Sequence, residues 1–121
     1  MNTLKALIID DEIDICYLLS NIVRTQKIEV SFVNSLGEAT ASLKKQTPQL
    51  IFLDNYLPDG MGIDFIKQLK KNNPSSKIVM MTAFDNASEK QTAISNGADT
   101  FIPKPFSKDT ICKTIDKLIK Q

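Results

Sequence analysis

Short unbroken apolar runs alternate along this chain with apolar residues at helical spacing. Leu4 to Ile9 is an apolar run that ends at the acids Asp10, Asp11 and Glu12. Positions 15, 18, 19, 22 and 23 then follow the 3.6-residue period and predict a first helix ending near Thr25. Glu29 to Val33 alternates as a short strand. Ser35-Leu-Gly-Glu38 has the spacing of a capping box, in which hydroxyl and carboxylate each take up a backbone N–H. It opens a helix with Leu36, Ala39 and Leu43 on the buried side. After Pro48, Leu50 to Leu53 runs straight into Asp54 and then into Leu57-Pro58-Asp59-Gly60. A run this short and continuous predicts a central strand buried on both faces, with Asp54 as its last residue. Phe65, Ile66 and Leu69 mark a third helix that stops before Asn73-Pro74, and Lys77 to Thr82 predicts a fourth strand. Asn86 or Ser88 can cap the next helix, and Gly97 closes it. Thr100 to Ile102 is a short fifth strand. Ser107 caps a last helix with apolar positions 111, 112, 115, 118 and 119.

Five strands alternating with helices predict βαβ crossovers, hence an α/β, doubly wound parallel sheet with helices on both faces. No repeat, linker or low-complexity tract interrupts the pattern, so residues 1–121 are expected to form one domain. That length buries a core without metal or disulfide staples. A net charge of +1, with no basic run interleaved with aromatics, argues against nucleic-acid binding by this chain. No apolar stretch is long enough to span a bilayer. Cys16 and Cys112 lie far apart, each in a helical pattern, which suits reduced thiols and a cytoplasmic location. The chain has no histidine. A Ser-His-Asp triad, a His-bearing zinc site and a phosphohistidine on this chain are thereby excluded.

A parallel sheet brings its strands' carboxyl ends to one edge, where ligands bind in open α/β folds. Here that edge collects Asp10, Asp11, Asp54, Thr82 and Lys104. Three carboxylates so placed resist simultaneous ionisation, and a divalent cation relieves the repulsion. Oxygen donors without Cys or His suit Mg²⁺ rather than zinc. With Mg²⁺, Lys104 and the Thr82 hydroxyl around it, a phosphoryl group on a carboxylate would be well held.

Asp10-Asp11, Asp54 with Leu57-Pro58-Asp59-Gly60, Thr82-Ala83 and Lys104-Pro105-Phe106 each follow or end a strand, in this order. In this the whole chain resembles the receiver domain of bacterial two-component response regulators, chemotaxis regulators among them. The resemblance implies a five-stranded, flavodoxin-like sheet in the order 2-1-3-4-5. It implies Asp54 as phosphoacceptor, taking its phosphoryl group from a sensor histidine kinase or histidine phosphotransfer protein and controlling an unknown output partner. It further implies Mg²⁺ held by Asp10, Asp11, Asp54 and the backbone carbonyl of Tyr56, with Lys104 pairing the phosphoryl oxygens. Thr82 and Phe101 take the places of the switch residues, and Lys104-Pro105 that of a cis bond. Tyr56 and Phe84 fall where side chains flank the water that hydrolyses the acyl phosphate. Such a chain is a signalling switch that catalyses only its own phosphorylation and dephosphorylation.

Two other classes use similar parts. A haloacid-dehalogenase-like Mg²⁺-dependent phosphatase needs its nucleophile after the first strand and a second acid two residues on, which Asp10-Asp11-Glu12-Ile13-Asp14 fits poorly. A flavin or nucleotide binder needs a Gly- or hydroxyl-rich first loop, where this chain has acids that repel phosphate. Glu12 itself is expected to serve the first helix's dipole rather than a metal.

Overall fold

A computed structural model describes residues 3–83 and 87–119. The elements are β1 (Lys5–Ile9), α1 (Ile13–Arg24), β2 (Glu29–Val33), α2 (Leu36–Lys45), β3 (Leu50–Asp54), β4 (Tyr56–Leu57), β5 (Gly60–Met61), α3 (Gly62–Asn72), β6 (Lys77–Thr82), α4 (Ala87–Asn96), β7 (Thr100–Pro103) and α5 (Lys108–Leu118). Five strands pair in parallel in the order β2-β1-β3-β6-β7. With the small β4–β5 hairpin set aside, this is the flavodoxin-like order 2-1-3-4-5.

Alternate residues of the buried strands supply two cores. Ile8, Phe52, Val79 and Met81 pack with Leu19 and Val23 of α1 and Ile111 and Ile115 of α5. Ile9, Leu53, Ile78 and Met80 pack on the other side with Ala39 of α2, Phe65, Ile66 and Leu69 of α3, and Ala93 of α4. Every residue of β3 is buried, as its unbroken apolar run requires.

Local chemistry fixes most helix ends. The Ser35 Oγ accepts the Glu38 N–H at 3.1 Å, and the Ser107 Oγ accepts the Thr110 N–H at 3.1 Å. The return bond of the expected capping box is displaced by one residue: the Glu38 carboxylate takes the N–H of Asn34, not of Ser35. Gly97, at φ +120°, ends α4 with its N–H on Ile94 O and the Ala98 N–H on Ala93 O, a Schellman motif. Ser88 does not cap α4. It lies inside the helix, where its carbonyl accepts the Thr92 hydroxyl. The other candidate cap, Asn86, lies outside the described residues.

The turn after β3 is tied to its surroundings at several points. The Asp59 carboxylate accepts the Leu36 and Gly37 N–H groups, both at 2.9 Å, and so covers the start of α2. These bonds hold the Asp59 carboxyl below its ordinary pKa. Gly62 starts α3 and donates its N–H to Asn55 O at 2.7 Å. A Cβ on Gly62 would lie 2.1 Å from the Asp54 carbonyl oxygen, so only glycine lets α3 start this close to β3. Gly62→Ala is accordingly expected to cost about 2–3 kcal/mol in urea unfolding, the size of an overpacked core position.

Candidate functional site

The register sets Ile9 beside Leu53 and Asp54 beside Met81, so the ends of β1, β3 and β6 meet at one edge. Asp10, just past β1, is fully buried. Its N–H bonds the Val33 carbonyl, and its own carbonyl accepts the Asn34 side-chain amide at 2.8 Å and the Cys16 thiol at 3.2 Å. The Asp10 Oδ1 accepts the Glu12 N–H at 2.9 Å. Asp54 ends β3 and is 4% exposed.

Lys104 joins these groups. Its N–H bonds the Thr82 carbonyl at 2.7 Å, which fixes the start of the side chain against β6. Its ammonium lies 2.8 Å from Asp10 Oδ2, 3.0 Å from Glu12 Oε1 and 3.2 Å from Asp54 Oδ1. The Lys104–Pro105 bond is cis. Asp11 is exposed at the mouth of the same cluster, and one oxygen from each of Asp10, Asp11, Glu12 and Asp54 lies within 4.8 Å of the others.

Four carboxylates against one ammonium leave the site strongly negative. Burial pushes the Asp54 carboxyl up to about 6 and the neighbouring Asp10 charge adds to it, against the pull of Lys104 and the Asn55 N–H. Asp10 is raised too, chiefly by burial, with Lys104 and the Glu12 N–H opposing. Burial pulls the Lys104 ammonium down, but its bonds to Asp10 and Glu12 outweigh that and raise it overall. The Cys16 thiol is pushed up to about 11 by burial and by the Asp10 charge, which keeps it protonated and inert. An all-oxygen donor set, buried on one side and open on the other, fits Mg²⁺.

The structure thus brings together Asp10, Asp11, Asp54 and Lys104. Thr82 lies fully buried at the end of β6, along the same edge. Phe101, 8% exposed, packs in the core on the α2–α3–α4 side. Tyr56 sits in β4 two residues past Asp54, its ring exposed and its hydroxyl 3.2 Å from Glu89 Oε2. Phe84 lies outside the described residues. Glu12 stands at the N-cap of α1 without a side-chain cap bond, and its carboxylate turns to Lys104. Two polar residues were not foreseen as part of the surroundings, Asn34 beneath Asp10 and Asn55 after Asp54. Asn55 follows its acid directly in sequence, whereas Asn34 reaches Asp10 only because β2 pairs with β1.

Residues 6–116 match the response regulator receiver domain family. The chain is 31% identical over 118 residues to the chemotaxis protein CheY of Listeria monocytogenes, which covers 97% of this chain and 99% of that protein. It is 32% identical over 105 residues to the response regulator protein PilR of Pseudomonas aeruginosa, covering 87% of this chain but only 24% of the relative. In fold it superimposes on a two-component response regulator from Clostridium difficile with a TM-score of 0.94, at 24% identity and 98% coverage of both chains. The chain belongs to the response regulator receiver domain family. That membership sets aside the haloacid-dehalogenase-like alternative. No helix among the described residues is long and apolar enough to cross a membrane.

Proposed function

We propose that residues 1–121 form one receiver domain that takes a phosphoryl group onto Asp54 from a sensor histidine kinase or histidine phosphotransfer protein. The observation that carries the reading is the Lys104 ammonium, shared between Asp54 and Asp10 inside a cluster of carboxylates at the strand ends. An Asp54 oxygen attacks the phosphorus of the donor phosphohistidine. The new phosphorus–oxygen bond forms as the phosphorus–nitrogen bond breaks, and the imidazole leaves with the electron pair and gains a proton. Asp10, Asp11, Asp54 and the Tyr56 carbonyl would hold Mg²⁺, which when bound supplies positive charge to the phosphoryl oxygens. Lys104 exchanges its Asp54 contact for a phosphoryl oxygen. The Thr82 hydroxyl closes on the phosphoryl group and Phe101 turns inward behind it, which changes the surface read by the output partner. The domain works in the cytoplasm as a switch.

Incubation with a small phosphodonor and Mg²⁺ tests this. Intact mass is expected to show one added phosphoryl group, absent in Asp54→Asn and absent in excess chelator. Labelling that survives either change overturns the assignment it removes. Hydrolysis gives a further expectation. Tyr56 and Phe84 are bulky residues at the positions where the resemblance puts the groups flanking the attacking water, and bulk there is expected to slow its approach. Tyr56→Asn with Phe84→Glu should speed decay of the phosphorylated form by about tenfold, a change of about 1.4 kcal/mol at the transition state. Decay of labelled protein after donor removal measures it.

A further inference from the structure

The parallel ladder between β1 and β2 stops at Asp10. Its N–H makes the last backbone bond, to the Val33 carbonyl at 3.1 Å. The next bond of such a ladder would bring a backbone N–H from the neighbouring strand to the Asp10 carbonyl. β2 ends at Val33 and Ser35 already caps α2, so the strand stops short of supplying it. The Asn34 side chain takes that place: its Nδ2 donates to the Asp10 carbonyl at 2.8 Å. A second and weaker donor, the Cys16 thiol, reaches the same oxygen at 3.2 Å.

The carbonyl held in this way belongs to the peptide that joins Asp10 to Asp11. A rotation of that one plane would turn both acids relative to Asp54. The Asp10 carboxylate has restraints of its own, the Glu12 N–H at 2.9 Å and the Lys104 ammonium at 2.8 Å. Asp11 is exposed, and the backbone that carries it sets its direction. The amide that fixes this backbone stands on a firm support. The Asn34 N–H donates to Glu38 Oε1 at 3.1 Å, and the start of α2 is held from the other side by the Asp59 carboxylate.

We propose that Asn34 is a positioning residue for the cation site: its amide replaces a missing rung of the sheet and so holds Asp10 and Asp11 in the geometry that a divalent cation needs. The inference rests on the Mg²⁺ reading above and adds to it a residue that acts only through Asp10. Mg²⁺ demands a near-ideal octahedron, so a small turn of two carboxylates costs affinity. Removing a group that orients a metal ligand typically weakens binding by roughly ten- to a hundredfold. The donor is what matters. An aspartate in place of Asn34 has the same size but would set oxygen against oxygen at the Asp10 carbonyl.

The test is a calorimetric titration of the metal-free domain with Mg²⁺, beside urea unfolding in chelator, for wild type, Asn34→Ala, Asn34→Asp and Glu38→Ala. Asn34→Ala is expected to raise the Mg²⁺ dissociation constant about tenfold. Asn34→Asp adds negative charge beside the cluster, which by itself would tighten binding, whereas loss of the donor loosens it. The expected result is weaker binding than in wild type. Glu38→Ala loosens the start of α2 without touching Asp10. It costs stability in urea and, its charge being exposed and screened, leaves the Mg²⁺ constant within about twofold of wild type. An Asn34→Ala chain that loses stability yet binds Mg²⁺ as wild type does makes the amide a merely structural contact. That result overturns the inference and leaves the Mg²⁺ reading standing. An Asn34→Asp chain that binds as tightly as wild type or more so does the same, and so does a Glu38→Ala chain that binds as weakly as Asn34→Ala. If wild type takes up no Mg²⁺, both readings fall.

Discussion

Replacing Lys104 with methionine is expected to destabilise the domain in excess chelator by about 3 kcal/mol, the usual cost of removing one partner from a buried ion pair. The Lys104 side chain is 8% exposed and touches three carboxylates, two of them buried, so its loss leaves Asp10 and Asp54 without a compensating charge. Methionine keeps the length and the apolar stem, which isolates the charge from the packing. Mg²⁺ should restore much of the loss, because a cation that binds only the folded state stabilises it by mass action. Urea unfolding in chelator and in Mg²⁺ measures both numbers. A variant no more stable in Mg²⁺ than in chelator would show that the carboxylates hold no cation. A loss below about 1 kcal/mol would show that water already screens the cluster.

The second large effect has the opposite sign. The Asp54 carboxyl titrates near 6 in the folded domain against an ordinary value of 3.8, so the native state binds its proton more tightly than the unfolded chain does. Without metal, stability should therefore be highest below about pH 4 as far as this group is concerned. It should fall as pH rises through about 6, and the full penalty persists above that. A shift of this size corresponds to about 3 kcal/mol. Asp54→Asn removes the penalty, while Lys104 keeps its contacts with Asp10 and Glu12. The variant should be more stable than wild type at pH 7 in chelator by up to about 3 kcal/mol, and should lose the part of the pH slope that Asp54 supplies. Melting curves between pH 4 and pH 8 test this. A variant that melts below wild type at pH 7 would mean that the contact with Lys104 outweighs the cost of burying the Asp54 charge.

What could be read from sequence divides by range of interaction. The central strand and Asp54 were legible because burial on both faces leaves an unbroken apolar run, and helices α1, α3 and α5 because one-sided burial leaves a period. Ser35 and Ser107 were legible as caps because a cap is a contact over three residues. The α4 start was left open between Asn86 and Ser88: a helix that buries only Ala93 has almost no period to mark its first residue, and Ser88 proved to be inside it. The β4–β5 hairpin pairs two residues with two, too few for any pattern. Glu12 was read by its nearest neighbours, the amides of α1, but its partner Lys104 lies 92 positions away. Asn55 could not be placed for the same reason, with Ile63 and Glu89 supplied by two different helices. The positions of Asp10, Asp11, Asp54 and Lys104 were foreseen only through the parallel topology that gathers strand ends.

Asp59 gives the acceptor loop an unequal response to acid. Its carboxylate bonds two amides at the start of α2 and holds its proton less readily than an ordinary aspartate, whereas Asp54, five residues earlier, holds its proton more readily. As pH falls without metal, Asp54 is therefore expected to lose its charge first, while the clamp that shapes the turn stays charged. On the phosphoacceptor reading, mild acidification without metal is expected to disarm the domain while the loop keeps its shape.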